Sequence, residues 1–292
     1  MASKFASDLD AGVFTEGLHG NWVQSFEVKT PPLIDEQSAF QHIQIFDTEA
    51  VGRMLVLDGI VQLTEADEAS YSEMLTHLPL FELKDPKRAL IVGGGDGAVA
   101  EEILKHPVIE IDLVDIDGRV VELCKDLFPN VHNGAFDDPR FHLHIEDASA
   151  FLKRPDTRGR YDLIIADRPD PVGPAEILFA QDFYDNVSAA LTDQGVAVFQ
   201  TGVPFVQGDE LVDAIKLLTS SFKQAGTYLT VTPTYFGGHM ALTWASNGMT
   251  LGRTNDLEKG FRAANIKTDY YTPAVHKAAF ALPRFIEELI AG

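Results

Sequence analysis

The sequence predicts an α/β protein: a mostly parallel, Rossmann-like sheet with helices on both faces, preceded by a small β-rich domain. Three observations carry the prediction. From Ala89 onward, strand-like and helix-like segments alternate, which implies parallel strands joined by right-handed crossovers. Before Leu63, short alternating apolar runs are separated by turn residues. The stretch LIVGGGDGAVAEEI, Leu90 to Ile103, runs a buried strand into Gly93, Gly94 and Gly95 and then a helix, which brings backbone close to a nucleoside.

In chain order, WVQSFEV, AFQHIQIFD and RMLVLDGIVQL read as strands, with Pro31-Pro32 and Asp58-Gly59 as turns. This sets the small β domain at residues 1–63 and the Rossmann-like α/β domain at 64–292. In TEADEASYSEMLTHLPLFEL, Thr64 or Asp67 caps a helix whose apolar face is Tyr71, Met74, Leu75, Leu78 and Phe81. Glu65, Asp67 and Glu68 read as its solvated start. There follow ALIVGG, a helix to about His106, IEIDLVDID, a helix through Leu127, FHLHIED, a short helix, DLIIAD, a helix from about Ala180, and VAVFQTG. The tail adds two strand-like runs, TYLTVTP and HMALTWAS, and a last helix near Phe280 to Ile290.

The 292 residues are 45% hydrophobic and 23% charged, a soluble composition with length enough for a substantial core. No apolar run reaches the roughly 18 residues of a membrane span. MASKFASDLDAG lacks the apolar core of a signal peptide, so the cytoplasm is the expected compartment. A net charge of -21 argues against nucleic acid as a partner; it reads first as solubility or a high-salt habitat, and only weakly as a preference for cations. The single cysteine, Cys124, excludes an internal disulfide framework and reads as packing. The histidines show no metal-ligand spacing, so no metal is expected, and His77 reads as packing or a local hydrogen bond.

Acidic residues mark the strand ends. The strand in YDLIIADRPDPVGPAE ends on Asp167, with Asp170 three residues later. In open α/β sheets the ligand crevice lies beyond the carboxyl ends of the strands, so Asp96, Asp167 and Asp170 should share a cavity and attract cationic amines. The glycine turn alone is ambiguous: Gly93, Gly95 and Ala98 fit G-x-G-x-x-A, with Asp115 at the spacing of a ribose-binding acid, as in a dehydrogenase. Asp147 in HIEDASAFL instead suits the class I methyltransferase-type fold, where an acid there meets an adenine amino group. It reads equally as a helix N-cap.

Longer segments carry more: LVLDGIVQLTEADEASYSEMLTH, LIVGGGDGAVAEEILKH, DDPRFHLHIEDA, YDLIIAD with DPVGPAE, LFAQDFYDNVSAAL, PTYFGG and YYTPAVHKAAFALP. Through them the chain resembles the polyamine aminopropyltransferases, most closely the bacterial spermidine synthases, from about Phe40 to Pro283. The resemblance implies a homodimer or homotetramer that transfers a 3-aminopropyl group from decarboxylated S-adenosylmethionine, a co-substrate, to a diamine such as putrescine, with no other cofactor. It implies Asp167 as general base and Asp96 as the partner of the donor's terminal amine. Asp170, Tyr71, Ser72, Tyr235 and Gln200 would surround the amines, and Gln41, Gly93, Gly95, Asp115, Asp147, Ala148 and Pro174 the nucleoside.

Three positions depart from the family pattern: Asp115 for the usual Glu, Ser72 for His or Gln, and Arg168-Pro169 for small residues. An inward Arg168 would pair with Asp167, lower its pKa and repel a cationic amine, or recruit the carboxylate of intact S-adenosylmethionine; an outward one is neutral. The inward case keeps open a paralogue with methyl transfer, aminocarboxypropyl transfer or cyclisation. A polyamine or nucleoside sensor without turnover is the third reading.

Overall fold

Residues 7–20, 22–168, 177–236 and 238–292 are described by the computed structural model. Strands β1 (Val13–His19) and β2 (Trp22–Glu27) pair antiparallel. Strands β3 (Ile34–Gln37), β4 (His42–Asp47), β5 (Arg53–Leu57) and β6 (Ile60–Thr64) form a four-stranded antiparallel meander. Asp58 and Gly59 take φ of 50° and 79° in the two-residue β5–β6 turn, the left-handed pair that matches strand twist. The sequence pattern marks neither β1 nor β3, because VFTEGLH has Gly17 mid-strand and IDEQ has one apolar residue.

The rest of the chain runs α1 (Glu68–Glu82), β7 (Arg88–Gly93), α2 (Ala98–Leu104), β8 (Glu110–Asp115), α3 (Gly118–Leu127), α4 (Pro129–His132), β9 (Phe141–Ile145), α5 (Ala148–Leu152), β10 (Tyr161–Asp167), α6 (Gln181–Ala190), β11 (Leu191–Gln200), α7 (Gly208–Ser221), β12 (Gln224–Val231), β13 (His239–Ser246), α8 (Leu257–Ala264), α9 (Pro273–Ala279) and α10 (Arg284–Ala291). Seven strands form one sheet in the order β12-β13-β11-β10-β7-β8-β9. The pairings among β11, β10, β7, β8 and β9 are parallel, while β13 runs antiparallel to both its neighbours. Central runs such as Leu163–Ala166 and Val196–Phe199 are wholly buried, as strands covered on both faces must be. The last helix starts at Arg284, after Pro283, rather than at Phe280.

Helix α1 departs from the expected single apolar face. It is buried on nearly its whole circumference, with Ser70, Ser72, Glu73, Thr76 and His77 enclosed beside Met74 and Leu78. The Glu73 side chain and two backbone carbonyls of the helix find partners in the C-terminal third of the chain. Glu73 accepts the backbone N–H groups of Asp269, Tyr270 and Tyr271 at 2.6, 3.0 and 2.5 Å. Tyr228 Oη donates to Met74 O at 3.0 Å and Thr230 Oγ1 to Ser70 O at 2.6 Å. His77 makes the expected local contacts, with Nδ1 2.9 Å from His106 Nε2 and Nε2 2.9 Å from Glu102 Oε2. A helix so enclosed is a fixed wall from which Tyr71 and its neighbours can be aimed.

Cys124 is buried, in a cluster that joins Ile43, Ile45, Leu55 and Leu63 of the β meander to Leu123, Phe128 and Val131. Burial pushes its thiol pKa well up, as packing requires. No described helix is long and apolar enough to cross a membrane.

Candidate active site

A cavity of about 320 Å³ opens beyond the carboxyl ends of β7, β8, β10 and β11, roofed by the β meander. Glycine creates it. Gly93 and Gly94 have φ of 78° and 65°, and a Cβ on Gly93 would lie 2.0 Å from Asp167 O. A side chain there would force apart the ends of β7 and β10, which are held by Gly94 N–H donating to Asp167 O at 3.1 Å. A Cβ on Gly95 would meet Asp115 Oδ2 at 2.7 Å. Asp96, Asp115 and Asp167 therefore converge on one space.

At one end, Tyr71 Oη donates to Asp167 Oδ1 at 2.8 Å, and the Tyr235 ring stands edge-on to Tyr71 with centroids 5.6 Å apart. Tyr235 Oη donates to Gln62 O at 2.7 Å, which fixes its ring against the cavity. Burial pushes the Asp167 carboxyl up to about 7; the Asp96 charge adds to that, and the Tyr71 bond opposes it. Burial raises Asp96 as well, although its Oδ1 accepts the Ala98 N–H at 2.8 Å. Burial and the Asp167 charge hold the Tyr71 hydroxyl well above its ordinary pKa, so it remains a donor. Among the described residues, no Lys, Arg or His lies within ion-pair distance of Asp96 or Asp167. Gln200, at the end of β11, and Ser72 complete this end.

At the other end, burial pushes Asp115 up to about 6, and its Oδ1 accepts the Asp117 N–H at 2.8 Å. Gln41 Nε2 donates to Asp117 Oδ2 at 3.0 Å, beside Ser38 Oγ at 2.6 Å. Asp117, which the sequence reading missed, thus orients Gln41; its only signal was its place at the start of α3. Asp147 Oδ1 accepts the Ser149 N–H at 2.7 Å as N-cap of α5, and Asp147 lines the cavity with Ala148. Asp170 and Pro174 lie outside the described residues.

The contacts of Arg168 bear on the two cases left open for it, and the start of α1 corrects an expectation. Arg168 is 2% exposed, but its guanidinium does not face Asp167. It lies 3.7 Å from the Phe179 ring centroid, donates to Leu178 O, and donates to Tyr184 Oη at 2.8 Å. Cation–π contact and two acceptors hold it there, so it does not pair with Asp167. The start of α1 is only partly solvated. Glu65 is exposed, but Asp67 sits at the N-cap without capping a helix N–H; it accepts Thr64 Oγ1 at 2.6 Å and Thr234 N–H at 2.7 Å. Glu68 lines the cavity, and burial pushes it up to about 7.

The β1–β2 pair supports the same wall. Gln24 Nε2 donates to Thr234 O at 2.8 Å, and Trp22 and His19 pack on Phe236 at 4.9 and 5.2 Å. Tyr235 is therefore held between α1 and the N-terminal strands.

Residues 68–255 match the spermine/spermidine synthase domain family, and residues 12–65 match the spermidine synthase tetramerisation domain family. A polyamine aminopropyltransferase of Ruegeria sp. (strain TM1040) is 45% identical over 279 residues, covering 94% of this chain and 97% of the relative. A spermidine synthase solved in complex with the transition-state analogue AdoDATO superposes with a TM-score of 0.91 at 31% identity, covering 99% of this chain and 98% of that one. The spermidine synthase of Thermotoga maritima superposes with a TM-score of 0.90, at the same identity and coverage. Matched across nearly its whole length in both sequence and fold, the chain belongs to the spermidine synthase family and is a polyamine aminopropyltransferase.

Proposed function

We propose that the enzyme transfers the 3-aminopropyl group of decarboxylated S-adenosylmethionine to a diamine, putrescine first, giving spermidine and 5'-methylthioadenosine. The observation that carries the reading is the pair of buried carboxylates, Asp96 and Asp167, with no Lys, Arg or His among the described residues within ion-pair distance of either. Such a pair is costly when empty and favourable around ammonium and sulfonium groups. Asp96 binds the donor's terminal amine, while Gln41, Asp115 and Asp147 face its nucleoside. The acceptor lies along the rings of Tyr71 and Tyr235, whose faces suit a cationic chain.

An alkyl ammonium has a pKa of about 10.4, so the acceptor enters protonated. Asp167 accepts one proton from that ammonium, and the freed lone pair attacks the methylene carbon bonded to sulfur. The C–S bond breaks with its electrons going to sulfur, and methylthioadenosine leaves neutral. The new secondary amine keeps its positive charge, so one proton per turnover passes from Asp167 to solvent. A carboxyl raised to about 7 remains a weaker base than the amine, which puts much of the burden on alignment of the lone pair by Asp167 and Tyr71. The engagement of Arg168 with Phe179, Leu178 and Tyr184 removes the feature that favoured intact S-adenosylmethionine. The match of residues 12–65 supports assembly as a homodimer or homotetramer.

The test is a mass-spectrometric product assay with decarboxylated or intact S-adenosylmethionine, each against putrescine, cadaverine, agmatine and spermidine. Methylthioadenosine plus aminopropylated putrescine, with the decarboxylated donor only, is expected. Turnover with the intact donor alone would overturn the donor, and a preferred amine other than putrescine would overturn the acceptor.

A further inference from the structure

We propose that Glu68 binds the donor's terminal ammonium jointly with Asp96, and so helps select a donor that lacks a carboxylate at that end. The assignment rests on the aminopropyl reading of the site and adds a residue to it. Glu68 opens α1, with Tyr71 and Ser72 three and four residues on, so the three side chains fall on one face of the helix. All three line the cavity. Ser72 is 1% exposed, and its Oγ donates to Glu68 Oε2 at 2.7 Å, with the Glu68 carbonyl also in reach at 3.1 Å. A serine here anchors the carboxylate instead of reaching into the cavity itself.

What the carboxylate lacks is a cation. Among the described residues, no Lys, Arg or His lies within ion-pair distance of Glu68. The charge that most opposes its ionisation is that of Asp96, ahead of Glu102 and Glu101. Each acid has one oxygen already engaged: Asp96 Oδ1 by the Ala98 N–H, Glu68 Oε2 by Ser72. Among the described residues, this leaves the second oxygen of each for a ligand. A primary ammonium carries three N–H donors and can meet both, relieving two like charges at once. Intact S-adenosylmethionine bears a carboxylate on the carbon that carries this amine. That group would face two acids of its own sign, so the pair disfavours it.

Binding calorimetry on the wild type, Glu68→Gln and Glu68→Asp tests this, with decarboxylated S-adenosylmethionine and methylthioadenosine as ligands. Glu68→Gln is expected to weaken the decarboxylated donor about tenfold or more and methylthioadenosine, which has no ammonium, less than about twofold. Glu68→Asp should recover part of the loss. In steady state the donor KM should rise in Glu68→Gln while the amine KM stays in place. Equal weakening of both nucleosides would reduce Glu68 to a structural role, and unchanged donor affinity would overturn the proposal. A rise in amine KM alone would move Glu68 to the acceptor and overturn the donor assignment. The comparison of the two nucleosides needs no turnover, so failure of the wild type to make an aminopropylated amine would refute the proposed function separately.

Discussion

Replacing Tyr71 with phenylalanine removes one hydroxyl and little else. The ring keeps its buried place on α1 and its edge contact with Tyr235, but Asp167 Oδ1 loses a donor at 2.8 Å. That bond favours the ionised carboxylate, opposing the burial and the Asp96 charge that push Asp167 up to about 7. A hydrogen bond to a charged group is worth about 1.5–3 kcal/mol, so its loss raises the Asp167 pKa by about 1–2 units. At neutral pH the ionised fraction falls from about half to between about 1% and 10%. The profile of kcat/KM against pH reports the free enzyme, so its acid limb should move upward by the same 1–2 units. Activity should recover largely above about pH 9, until another group limits the rate. An acid limb left in place, with activity lowered equally at every pH, would refute the account of Tyr71 as the group that keeps Asp167 ionised.

Asp167→Asn should stabilise the empty enzyme while abolishing transfer. A carboxyl raised to about 7 holds a proton in the folded state that it loses near 3.9 in the unfolded chain, so it costs stability as pH rises through that window. The Tm advantage of Asp167→Asn over wild type should be near zero at about pH 4 and reach about 2 °C or more at pH 8. An advantage that does not change with pH in ligand-free thermal melts would contradict the shift. At Arg168, a lysine should be worse than a methionine. Methionine fills the space among Phe179, Tyr184 and Phe199, while lysine brings a compact buried charge that cannot stack and donate in the arginine geometry. Urea unfolding should place Arg168→Lys below Arg168→Met by about 1 kcal/mol or more, and the reverse order would show that charge rather than shape holds this residue.

The fold class was legible because buried parallel strands have an unmistakable pattern: ALIVGG and DLIIAD can serve as little else. The ends of those strands also carried the site, since glycine and aspartate at a carboxyl edge constrain both backbone and charge. What stayed hidden depends on contacts distant in sequence. Nothing around Glu68 distinguishes it from Glu65; one lines the cavity and the other is exposed because α1 packs against α2 and the C-terminal third. Asp67 looks like a helix cap, yet beside Thr64 its partner is Thr234, 167 residues away. Arg168 illustrates the same limit, because the rings that hold it, Phe179 just before α6, Tyr184 on α6 and Phe199 on β11, all follow it in the chain.

Cys124 is the one cysteine in the chain, and it is sealed in the cluster where the β meander meets the α/β sheet. No reagent can reach its sulfur while those two layers stay together. Thiol modification therefore keeps time for the parting of the roof from the floor of the active site, with no engineered probe and no second thiol to confuse the signal. A bound ligand that bridges the two layers lengthens that clock, while one that touches only the floor leaves it running as before.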